Sequence, residues 1–127
     1  MRTPALPIKD DSRAHPIPDS WRPIFAQIVR ALIRKDYHFQ ESAQIVESIS
    51  EESASQIQGY IAEYGVILTE LPEETWESSC AQWMGSHWDV LVDLWSVEEG
   101  RSDLVLGAAV TESESGFRFR VGLVYVP

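Results

Sequence analysis

The sequence predicts an α+β fold: an antiparallel sheet of about four strands, with two main N-terminal helices packed on one face. Three observations predict it. Apolar residues recur at helical spacing in the first half, at Ile24, Phe25, Ile28, Val29 and Leu32 and again at Ala54, Ile57, Ile61 and Tyr64. They alternate with a period of two in the last third, across His87–Ser96, Ser102–Thr111 and Phe117–Val126. The connections VEEGR and ESESG have hairpin length and one glycine each, so the three C-terminal strands form a meander.

Residues 1–18 carry Pro4, Pro7, Pro16 and Pro18 with little periodicity. They read as an extended, mobile arm whose docking points, if it docks, are Ile8 or Ile17. Residues 19–127 then form one α+β domain. The first helix starts near Asp19 or Ser20, either of which can cap free backbone N–H groups, with Pro23 tolerated in its first turn. It ends near Lys35. Pattern does not define residues 36–50, where a helical turn at Ser42–Glu47 is the one candidate element. The second helix lies in SISEESASQIQGYIAEYG. Ser48 with Glu51 makes a capping box there, Ser50 competes as the cap, and Gly65 suits a left-handed terminus. Gly59 weakens its middle. Val66–Leu71 reads as a short strand stopped by Pro72, and PEETWESSCAQWMGS as a helical turn followed by a loop.

Strand alternation places Trp88, Val90 and Val92 on the core face, with Leu106 from the middle strand and Phe119, Val121 and Leu123 from the last. Phe25, Ile28 and Leu32 of the first helix complete this core. Pairing Val92 with Leu106 and Val110 with Phe117 keeps all three apolar sets on one face. On the other face this register sets Asp89 opposite Ala109 and then Arg118, and Leu91 opposite Gly107 and then Arg120. Small residues in the middle strand let the arginines reach toward Asp89 and Asp93 as a cross-strand ion-pair lattice. A catalytic carboxylate needs a raised pKa in a sheltered cleft, and a neighbouring arginine lowers it. No catalytic residue is therefore assigned to this pair.

At 127 residues, 44% apolar and 24% charged, the chain has the composition of a soluble globular domain. No run of ~18 apolar residues predicts a membrane span. The N-terminus lacks the apolar core of a secretory signal, and Cys80 is the lone cysteine, so a cytoplasmic location is expected. The net charge of −10 is unevenly spread: Lys35 is followed by no Lys or Arg until Arg101, and 14 acidic residues lie between Asp36 and Gly100. That stretch is either a solvated acidic surface or a face that steers a basic protein partner. Nucleic acid is excluded as a partner, because phosphate contacts need clustered Lys and Arg.

No phosphate loop, nucleophile elbow or HExxH motif is present, and no cofactor is expected. His87 and Asp89, even joined by His38, fall short of a metal set by local spacing alone. Cys80, beside Trp76 and Trp83, reads as a small buried residue. The tryptophans Trp76, Trp83, Trp88 and Trp95 lie close together in sequence. Packing explains them, or else Trp76, Trp83 and Trp95 with Glu73, Glu74 and Glu77 form a site for a cationic partner. Two functions follow. One is a non-catalytic binding module, immunity- or antitoxin-like, that engages a basic protein. The other is a pocket protein or small enzyme using the space beneath the sheet.

DSWRPIFAQIVRAL followed by WDVLVDLWSVEEGRSDLVL resembles a family of small bacterial domains of uncharacterised function, over roughly residues 16–127. The resemblance implies a fold but no catalytic residues. The order helix, helix, strand, then three long antiparallel strands is also similar to the cone-shaped nuclear transport factor two-like and cystatin-like folds. Enzymes of that class carry an Asp or His among apolar walls, where this chain's core-facing strand positions are nearly all apolar.

Overall fold

The long alternation that begins at Trp88 builds the centre of the sheet, and the rest of the chain is arranged around it. The computed structural model describes residues 3–39 and 45–127. In order these form β1 (His15–Pro16), a 3-10 turn (Asp19–Trp21), α1 (Arg22–Ile33), α2 (Glu51–Tyr64), α3 (Thr75–Ser78), β2 (Cys80–Trp83), β3 (Trp88–Ser96), β4 (Gly100–Ser113) and β5 (Gly116–Tyr125). All five strands pair antiparallel with their sequence neighbours, in the order β1-β2-β3-β4-β5. The candidate turn at Ser42–Glu47 falls in part outside the described residues. No described helix is long and apolar enough to cross a membrane.

The helices follow their sequence signals closely. Phe25, Ile28, Val29 and Leu32 of α1 are buried. Asp19 opens the 3-10 turn that precedes this helix, and its carboxylate accepts the Ala5 N–H at 2.9 Å and so ties down the arm. Ser50, not Ser48, caps α2, its hydroxyl accepting the Ser53 N–H, and Gly65 ends the helix at φ 86. Ala54 and Ile57 are its buried positions.

Two strands replace the expected fourth. Val66–Leu71 makes only an isolated bridge, Leu68 to Ser96, because β3 ends there and offers no further ladder. Cys80–Trp83 is a strand and not a loop: it turns through Gly85 at φ 95 and pairs back on β3, Ala81 with Val90 and Trp83 with Trp88. β1, two residues long, adds to its edge, where the missing N–H of Pro16 is tolerated.

The β3–β4 register is as expected at Val92–Leu106, and Asp89 faces Ala109. The β4–β5 register is slipped by two: Val110 pairs with Phe119 and not Phe117, because the connecting loop closes tightly at Ser113–Gly116. A slip of two preserves the face, so Phe119 and Val121 stay in the core. The face then inverts. Between Gly107 and Ala108 the ladder skips Gly122, an extra residue on β5. Leu123, expected in the core, is 51% exposed, and Val124 takes its place at 0%.

The space between α1 and the sheet is filled by rings. Trp21 lies 5.3 Å from Trp88 and 5.9 Å from Phe119, and Phe25 lies 5.5 Å from Phe119, all near edge-to-face.

The arm lies against the domain at Ile8 and Ile17, the two docking points its sequence offers. Trp88 Nε1 donates to the Ile8 carbonyl at 3.0 Å, and Ile17 is wholly buried. Asp10 organises the stretch before β1. The Ser12 hydroxyl at 2.6 Å, His15 Nε2 at 2.9 Å and the Ser12 N–H hold its carboxyl well below the ordinary carboxylate range. A depressed folded pKa stabilises the docked arm fully above the unfolded value of about 3.9, and that contribution is lost as pH falls through the folded value. Amide-exchange protection of the arm, relative to β3, is therefore expected to decline on acidification from about pH 5 toward pH 2. Asp10→Asn should flatten that decline. An equally steep profile in the variant would show that Asp10 does not hold the arm.

Candidate functional site

Three acidic side chains and one tryptophan come together because a single turn of chain carries them all. The Thr75 N–H donates to the Pro72 carbonyl, Trp76 to Glu73 and Glu77 to Glu74, wrapping the segment into α3. That turn points Glu73, Glu74 and Glu77 outward and Thr75 and Trp76 inward. The β3 edge clamps it. Thr75 Oγ1 donates to the Asp93 carbonyl at 2.8 Å, Ser79 Oγ accepts the Asp93 N–H at 2.9 Å, and the Ser78 hydroxyl donates to the Asp93 carboxylate.

The arm runs past this turn, and an open groove of about 890 Å³ is lined by Pro4, Leu6 and Ile8 of the arm together with Glu73, Glu74 and Glu77. Trp76 also lines it and is only 7% exposed. Arg22 lies with its guanidinium carbon 5.6 Å from the Trp76 ring centre. Its Nε donates to the Ile17 carbonyl, and Asp19 lies 3.6 Å away. Among the described residues Arg22 is the one cation lining the groove; Asp19 balances it, and the described rim remains net acidic.

The structure brings together Glu73, Glu74, Trp76 and Glu77 but not the other two tryptophans. Trp83 packs tilted against Trp88, ring centres 4.6 Å apart, and carries Lys9 over its ring at 5.2 Å. Trp95 lies on the opposite sheet face, over Gly100. The arm wall and Arg22 were missed from sequence, and their only local signal was the apolar spacing of Leu6 and Ile8.

Three of the four charges assigned to a lattice pair along other lines, and Arg120 has no ion-pair partner among the described residues. Asp89 Oδ1 meets His87 Nε2 at 3.0 Å, Asp93 holds α3, and Arg118 Nε lies 3.9 Å from Glu47. The slipped register sets Arg120, not Arg118, opposite Ala109, and sets Leu123 opposite Gly107.

Burial first, and then the Asp93 charge, pushes the Cys80 thiol up, so it stays protonated and weakly nucleophilic at neutral pH. His38 pairs with Glu51 at 3.2 Å, away from His87. Among the described residues no three His, Cys, Asp or Glu side chains converge on a metal-sized site.

A family model described as a domain of unknown function, DUF7668, matches residues 29–127. No curated protein and no solved structure matches the chain. The matched segment contains α2, α3 and β2–β5, including the acidic rim, and leaves out the arm and the first turns of α1. With that match spanning most of its length, the chain belongs to the DUF7668 family.

Proposed function

We propose that the protein is a non-catalytic binding module whose acidic groove takes a basic segment of a partner protein. The observation that carries this reading is the pairing of Glu73, Glu74 and Glu77 with the apolar wall of Pro4, Leu6 and Ile8 across one groove. Such a pairing suits Lys and Arg, whose methylene stems lie on apolar surface while their charged heads meet carboxylates. A cytoplasmic, immunity- or antitoxin-like role in a bacterium, neutralising a cationic protein, has this chemistry. A pocket beneath the sheet is the less favoured reading, since Trp21, Phe25, Trp88 and Phe119 occupy that space.

Titration of isotope-labelled protein with a lysine-rich peptide tests the groove directly. Amide and indole shifts are expected at Glu73–Glu77 and Trp76, with affinity falling roughly tenfold or more from low to high salt. Changing Glu73, Glu74 and Glu77 together to Gln should abolish them. Shifts elsewhere, or an affinity indifferent to salt, would contradict the reading.

A further inference from the structure

A second surface, sharing no residue with the groove, is the face of β3–β5 turned away from α1. Three cross-strand rows run across it. The first is Asp89–Ala109–Arg120, and the second is Leu91–Gly107–Leu123. The third is Asp93–Val105–Tyr125. Leu91 of the inner strand β3 and Leu123 of the edge strand β5 are 37% and 51% exposed. Between them Gly107 and Gly122 leave a trough of about 270 Å³. A Cβ on Gly122 would stand 3.3 Å from the Gly107 carbonyl oxygen, so the backbone itself sets the shape of that trough. Arg120 is exposed and has no ion-pair partner among the described residues.

We propose that this face docks the same face of a second copy of the chain, about a two-fold axis running along β4. Such an axis exchanges β3 with β5. It sets Asp89 of each copy over Arg120 of the other, forming two equivalent ion pairs from one acid and one base per chain. Leu91 then lies over the second copy's Leu123. On the axis lie Ala109 and Gly107; the Tyr125 ring of each copy leans over its own Gly107, 3.4 Å from where a Cβ would stand, so the two rings meet at the axis between the leucine pairs. Displacement by one row would set Asp89 over leucine, so the charges fix the register as well as the partner. The occupant follows from this complementarity: each end of the charged row matches the other end of its own copy.

Sedimentation equilibrium over a range of protein concentrations, up to roughly 0.5 mM, tests it. A monomer–dimer equilibrium is expected. Asp89→Arg and Arg120→Asp should each raise the dimer dissociation constant roughly tenfold or more, since each places like charges in both pairs. The double variant, Asp89→Arg with Arg120→Asp, should recover most of the lost association, because the axis again sets opposite charges together. Leu123→Asp should abolish association. Both charged positions are exposed, and unchanged circular dichroism would verify the fold of each variant. A monomer throughout overturns the proposal. So does a dimer indifferent to both reversals, or a double variant as weak as either single one.

Discussion

Trp88→Ala is expected to remove about 3–5 kcal/mol of folding stability, the largest loss from any single truncation in this chain. Trp88 is 2% exposed and stands where three parts of the fold meet. Its ring lies 4.6 Å from Trp83 of β2, 5.3 Å from Trp21 before α1 and 5.9 Å from Phe117 of β5. Alanine there leaves a cavity that rigid ring neighbours cannot collapse to fill. It also strands the Ile8 carbonyl, which accepts the indole N–H. Trp88→Phe separates the two effects: most of the packing stays, and the lost hydrogen bond contributes about 1 kcal/mol. That variant should loosen the arm, and with it one wall of the acidic groove, more than it loosens the sheet. The denaturation midpoint, at an unchanged slope, reads the stability. An unaltered midpoint in Trp88→Ala would show that this tryptophan is not the centre of the core.

A carboxylate at position 124 should be at least as damaging. Val124→Asp is expected to destabilise by about 4 kcal/mol or more, since it buries a charge with no partner. Leu123→Asp, one residue earlier, should change the stability of the dilute protein by less than about 1 kcal/mol. The contrast follows from the extra residue at Gly122, which turns Leu123 to solvent and Val124 inward. A regular strand would give the reverse ranking. If Leu123→Asp proved the more damaging, the inversion of β5 would be wrong, and the apolar row of the proposed dimer face with it.

That bulge marks one limit of what the sequence discloses. Alternation identifies the two faces of β3, β4 and most of β5, because a side-chain period of two survives a register slip of two. It says nothing of where a glycine inserts one extra residue. The helices were legible for a similar reason: stripes such as Phe25, Ile28 and Leu32, and the Ser50 and Gly65 termini, are local features. β1 and β2 were not, since two and four residues are too few to show a period. Val66–Leu71 has strand composition, but composition does not supply a neighbour to pair with.

The site divides along the same line. The rim of Glu73, Glu74 and Glu77 beside Trp76 was legible because one turn carries all four. The arm's part of the lining was not, because Pro4, Leu6 and Ile8 are brought there by contacts distant in sequence, such as those with Asp19 and Trp88. Asp89 and Asp93 attracted notice as a pair, yet one meets His87 and the other fastens α3. Strand spacing alone does not reveal that division.

Affinity capture from a host lysate, with wild type and the triple Glu→Gln variant run side by side at low and high salt, tests the central claim most directly. A basic protein retained by the wild type at low salt, released at high salt and absent from the variant, is the predicted result. Identical proteins retained by both forms, or retention insensitive to salt, would contradict the acidic groove as the working surface.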